Sequence, residues 1–244
     1  KRIKKIDISY KQPFVIFEKK NIFKKNKYKK LFDNFPDKKF FLKKDKKGGK
    51  LSFSNKDEIF FKFLENNEIW SKFYNEVNSS SFLSTFLNLI KKDLRNIDQR
   101  KMLENFIYFD NDKKNLLLSK IKKKIISSFT TPVRIGMQFS IIKSGNYIPP
   151  HCDTTNKLLS LMIYFPNNEK ISKNYEIPLG TNFFKRKNNS KDNLFDGWNN
   201  TLLTKKDTKI FLKNYELLHK SKFEKNKIVG FIKNDKSWHN LDKF

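Results

Sequence analysis

In "YIPPHCDTTNKLLSLMIYFP", residues 147–166, a histidine and an aspartate stand two positions apart as His151 and Asp153. In extended backbone residues i and i+2 point to the same face, so both side chains converge while Cys152 turns away. A neutral imidazole nitrogen and a carboxylate on one face are two ligands of a metal site. The chain has only three histidines, so a third ligand comes from His219 or His239. His239 is favoured: it follows Trp238, after the strand-like "NKIVGFI" and a short turn. A strand end there would lie beside the first motif. Two histidines and one carboxylate, with coordination positions left open, suit a non-haem Fe(II) centre. An H-x-D pair arises often by chance, so its setting carries the weight.

That setting is a series of short strands. In "PVRIGMQFSII" (132–142) Val133, Ile135, Met137, Phe139 and Ile141 alternate with Arg134, Gly136, Gln138 and Ser140, which predicts one half-buried strand. "KSGN" is a turn, "KLLSLMIYF" (157–165) a fully apolar strand, and "IPLGTNFFKR" (177–186) a strand broken by Gly180. "KRKNNSKDNLFDGWNN" (185–200) is an exposed polar insertion. "KNYELLH" and "NKIVGFI" are two further strands, and "KSWHNL" closes the chain. Short strands at roughly even spacing with turns between them predict a β-sandwich or jelly roll.

The first half reads differently. Residues 1–12 form a loose basic arm. "PFVIFEKKNIF" is a short strand, and a helix runs through "KKNKYKKLFDNFP" to Pro36. "DKKFFLKKDKKGGKLS" (37–52) is a loop. Over 55–79, Phe60, Phe63, Leu64, Trp70, Phe73, Tyr74 and Val77 recur every three or four residues, an amphipathic helix capped by Ser54-Asn55. This stripe is core packing. A serine-capped helix follows through Phe82, Leu83, Phe86, Leu87 and Ile90, and a third covers "NLLLSKIKKKIISSF" (115–129). The fold class is therefore α+β: a jelly roll (double-stranded β-helix) buttressed by N-terminal helices. Residues 13–244 are one domain, with a helical part 13–129 and a jelly-roll core 130–244.

Composition narrows the partners. The 244 residues carry 53 basic and 25 acidic side chains, a formal charge of +28. Arginine, the better residue for bidentate phosphate and base contacts, occurs only at Arg2, Arg95, Arg100, Arg134 and Arg186. The lysines are dispersed, which is the pattern of a solvated surface rather than a polyanion footprint. One cysteine, Cys152, permits no intrachain disulfide and fits a reducing, cytoplasmic setting. No apolar run is long enough to span a membrane, and no signal peptide is evident.

Four stretches together resemble the 2-oxoglutarate/Fe(II)-dependent dioxygenases, in particular their prolyl-hydroxylase-like branch. "MQFSIIKSGNYIPPHCD" is similar to that branch's strand, glycine turn and H-x-D segment. "KLLSLMIYFP", "IPLGTNFF" and "NKIVGFIKNDKSWHNL" are similar to its following strand, its glycine-containing pocket strand, and its distal-histidine segment. The resemblance implies Fe(II) held by His151, Asp153 and His239, with 2-oxoglutarate as co-substrate. It implies dioxygen as oxidant and hydroxylation of a small-molecule, sugar or peptidyl substrate. Such enzymes carry a basic residue about ten positions past the distal histidine, and the chain given ends at Phe244. Arg134 and Lys157 are the cationic candidates for the far carboxylate of 2-oxoglutarate. Ile142 stands where many relatives carry a tyrosine; Tyr164 is the candidate for the substitute hydroxyl, and Tyr147 is a candidate to line the pocket or pack beside it. The alternatives are a nucleic-acid-acting demethylase or binder and a non-catalytic jelly-roll binding module.

Overall fold

The computed structural model describes residues 7–41, 43–44, 49–84, 87, 106–108, 131–166, 179–188, 195 and 202–243. The chain is α+β with mostly antiparallel sheets and divides into two units. One comprises Lys1–Lys5, Asn34–Pro36 and Phe53–Phe139; the other comprises Ile6–Asp33, Asp37–Ser52 and Ser140–Phe244.

The second unit begins with β1 (Asp7–Tyr10) paired antiparallel to β2 (Ile16–Lys20). The expected loose arm is thus a strand from Asp7 onward. Tyr10 packs against the core, and β2 supplies the backbone partners that hold the segment extended. Helix α1 (Lys25–Asp33) follows, as the sequence predicts. It stops ahead of Pro36, where the residue before proline disfavours helix. Leu31 is its buried residue. The expected loop over 37–52 instead contains β3 (Lys43–Lys44) paired with the start of β4 (Lys50–Ser54). Their lysine content hid a strand pair whose backbone hydrogen bonds do not depend on side-chain hydropathy.

The other unit holds the amphipathic stripe. It forms two helices rather than one: α2 (Glu58–Glu65) and α3 (Glu68–Val77), which bury Phe60, Phe63, Leu64, Trp70, Phe73 and Tyr74. The break lies at Asn66-Asn67, where the Asn67 side chain accepts from the Trp70 N–H and caps the second helix. The cap of α2 is Asp57, not Ser54-Asn55. The Asp57 carboxylate accepts from the Ser54 N–H and hydroxyl. Asn55 binds backbone elsewhere, donating to the Ile135 carbonyl and accepting from the Met137 N–H. Those bonds replace ladder bonds around Gly136. The single strand expected over 132–142 is therefore split into β6 (Thr131–Val133) and β7 (Gln138–Ile142). Strand β5 (Phe106–Tyr108) pairs parallel with β6. The Ser79 hydroxyl caps the helical backbone that starts at residue 80, accepting from the Phe82 N–H. The helix expected over 115–129 lies outside the described residues.

The rest of the second unit is built from β8 (Ile148–His151), β9 (Leu159–Ile163), β10 (Gly180–Arg186), α4 (Lys205–Asn214), β11 (Tyr215–Lys222), β12 (Lys227–Ile232) and β13 (His239–Leu241). Among the described residues two four-stranded sheets result, ordered β1-β2-β12-β9 and β11-β10-β13-β8. From β8 onward successive strands alternate between them, except that β10 and β11 pair antiparallel within one sheet. Phe14, Ile16, Tyr164, Phe183, Val229 and Phe231 form the core shared by the two sheets. Strand β9 is not buried on both faces as its apolar run suggested: Leu161 is exposed, and β9 is an edge strand in the described sheet.

A second core lies on the opposite face of the β8-containing sheet. It joins Cys152, Phe184, Phe195, Leu203, Phe211, Tyr215 and Trp238. Phe195 is therefore an anchor inside the expected polar insertion. The sequence reading omits α4, although "TKKD" spells its capping box. Thr204 Oγ1 accepts from the Asp207 N–H, and Asp207 accepts from the Thr204 N–H. Gly180 starts β10 rather than breaking it. Its φ of +153° is open to glycine, and a Cβ there would lie 1.5 Å from the Ser221 carbonyl oxygen.

Candidate metal centre

The H-x-D segment sits where β8 ends. Its alternation divides the side chains as expected: Cys152 enters the aromatic core with Trp238, while His151 and Asp153 face the other way. The same alternation at the start of β13 sends Trp238 into that core and His239 to the opposite face. His239 pairs directly with His151 across the antiparallel ladder, and their ring centroids are 4.2 Å apart. One ligand atom from each of His151, Asp153 and His239 lies within 4.8 Å of the other two.

Each imidazole is oriented by its own backbone. His151 Nδ1–H donates to the Pro149 carbonyl at 2.9 Å, and His239 Nδ1–H donates to the Ser237 carbonyl at 3.0 Å. A carbonyl only accepts, so in each neutral ring the lone pair resides on Nε2, the atom left for a metal. Burial, followed by the charge of the neighbouring His239, pushes His151 down to about 3. Burial also lowers His239, against the opposing pull of Asp153. Both rings are thus neutral near pH 7, as metal binding requires.

Asp153 is ionised. Burial alone would raise its carboxyl, but His239, Lys157 and Ser160 outweigh burial and hold it well below the usual carboxylate range. Lys157 Nζ donates to Oδ1 at 2.7 Å, and the Ser160 hydroxyl donates to Oδ2 at 2.5 Å. Two neutral imidazoles and one carboxylate fit a divalent first-row metal. The fit rests on these donors and their backbone-set tautomers.

The remaining histidine is elsewhere. A cross-strand row runs His219–Phe183–His239–His151. His219 is two strands from His239, about 10 Å at the usual strand spacing. Its Nε2 instead meets Glu18 Oε1 at 2.9 Å, and Glu18 Oε2 meets the buried Lys227 Nζ at 2.8 Å. Burial raises the Glu18 carboxyl, but the contacts with His219 and Lys227 bring it down to about 2. The sequence reading passes over this network because its members are spread over some 200 positions.

The other candidates fall in different places. Tyr164 is buried in the shared core, its hydroxyl 2.8 Å from Thr181 Oγ1, and burial pushes its phenol above the usual tyrosine range. Phe183 and Phe231 of that same core flank His239, with Phe231 at 4.6 Å between ring centroids. Tyr147 is half-buried just before β8. Lys157 reaches the cluster, but on Asp153. Arg134 is exposed on the 134–137 stretch of the other unit. Ser160 is a residue the sequence reading missed. Its signal was a lone hydroxyl inside the apolar run "LLSLMI". No helix among the described residues is long and apolar enough to cross a membrane. No family model matches the chain, and no curated protein or solved structure matches it.

Proposed function

We propose that this chain is an Fe(II)- and 2-oxoglutarate-dependent oxygenase that hydroxylates a small molecule, a sugar or a peptidyl side chain. The observation that carries the reading is the convergence of His151, Asp153 and His239 at the meeting ends of β8 and β13, with both Nε2 atoms left as donors. Strands alternating between two antiparallel sheets support the double-stranded β-helix architecture of that class. When bound, Fe(II) with its keto acid supplies dioxygen activation and the oxidising power for C–H hydroxylation.

The chain's own residues supply the rest. Three protein ligands leave positions for a bidentate co-substrate and dioxygen. The donor set carries one negative charge, so a divalent ion within it keeps a net positive charge and attracts an anionic keto acid. Phe183 and Phe231 exclude water beside His239. Ser160 holds the Asp153 carboxylate in place from the neighbouring sheet.

The test is anaerobic loading of the purified chain with Fe(II), followed by assay of succinate formed from 2-oxoglutarate. Bound iron and iron-dependent succinate are expected in the wild type. Asp153→Ala and His239→Ala lose the iron, and His219→Ala keeps it. A second reading, a metal-free binding module, is favoured by the Lys157–Asp153 ion pair, which satisfies the carboxylate without a metal. A wild type that takes up no iron, with Asp153→Ala indistinguishable from it, would select that reading.

A further inference from the structure

The two oxygens of Asp153 have partners of different kinds. Oδ2 accepts from Ser160 on β9, a regular strand paired along its length with β12. Oδ1 accepts from Lys157, which lies on the turn between β8 and β9 with its side chain 48% exposed. The Lys157 N–H closes that turn on the Thr154 carbonyl. One partner is neutral, short and fixed by a sheet. The other is a full positive charge on a flexible four-carbon stem that reaches solvent.

We infer that Lys157 is a tethered cation that competes with the metal for Asp153, whereas Ser160 is the positioning residue that keeps the carboxylate aimed. The inference rests on the metal-centre reading above and concerns how that centre is loaded. A divalent ion held with His151 and His239 would bring a second positive centre to a carboxylate whose ammonium partner is already at 2.7 Å. Lys157 must yield for the metal to bind, and its exposed stem lets it do so without disturbing either sheet. Ser160 need not move, because its hydroxyl is neutral and the carboxylate oxygen that accepts from it would keep a lone pair for a metal. The lysine therefore gives the metal-free protein an ionised, oriented carboxylate and sets a threshold of metal activity for loading. A single half-screened charge at this range alters affinity by about tenfold.

The experiment measures Co(II) affinity by calorimetry and by the visible ligand-field absorption of the ion, with no turnover required. The full chain is compared with Lys157→Met, Lys157→Arg and Ser160→Ala at one pH and ionic strength. Lys157→Met is expected to bind about tenfold tighter and Lys157→Arg close to wild type. Ser160→Ala is expected to bind at least tenfold more weakly. Unchanged thermal unfolding of the metal-free variants shows that the fold is intact. A wild type that binds Co(II) while Lys157→Met binds equally or more weakly overturns the competition. Failure of both wild type and Lys157→Met to bind Co(II) overturns the metal-centre reading itself, and the inference with it.

Discussion

The paired imidazoles of His151 and His239 are kept neutral by the place they occupy, and that has a cost in acid. In the unfolded chain a histidine takes up a proton near its ordinary 6.5, whereas His151 in the folded protein resists until about 3. Between those values the unfolded state binds more protons, so stability falls as pH falls. His239 is shifted in the same direction. The metal-free protein is therefore expected to lose urea resistance steadily from pH 7 to pH 5. His151→Leu/His239→Leu flattens that part of the profile, and a slope unchanged by the double substitution would refute the assignment. Glu18 adds a lower stage. Its folded value of about 2 lies below its ordinary 4.5, so its stabilisation is full above 4.5 and is lost as pH falls toward 2.

Among the elements, β10 bears the tightest constraint. It is the partner of both β11 and β13, so it carries the register that places His239. Its first residue, Gly180, combines a positive φ with backbone contact to Ser221. Gly180→Ala must move one strand or the other. A loss on the order of 3 kcal/mol is expected in chemical denaturation, together with weaker metal binding, because the β10–β13 register moves with it. A stability change under ~0.5 kcal/mol would mean that the close approach is not a constraint. The opposite face of that sheet is secured by Trp238, 1% exposed, against Phe195, Phe211 and Tyr215. Trp238 therefore fixes the residue next to a ligand without touching the site.

For the whole molecule, a metal that binds only the folded state adds to its stability by mass action. At a free metal concentration one hundredfold above Kd the gain is about 2.7 kcal/mol, which for a chain of this size raises Tm by roughly 5 °C or more. A Co(II) titration followed by thermal unfolding is expected to show that rise in the wild type and none in Asp153→Ala. The Glu18–His219–Lys227 network joins the two sheets from within and is independent of the metal. Glu18 and Lys227 lie on β2 and β12 of one sheet, and His219 lies on β11 of the other.

Much of this was legible locally. Period-two alternation around Cys152 was enough to put His151 and Asp153 on one face, because side-chain direction in extended backbone depends only on the residue count. The spacing of Phe60, Phe63, Trp70 and Phe73 was likewise enough to mark a buried helical face. The break at Asn67 was not legible, because the same stripe serves one helix or two. What the linear order left open was the third ligand. His219 and His239 both follow strand-like runs, and only the ladder pairing β13 with β8, and β10 between β13 and β11, separates them. Strand pairing is a long-range choice made by the packed core as a whole. Tertiary structure alone therefore brought His239 to His151, His219 to Glu18, and Ser160 and Lys157 to the two oxygens of Asp153.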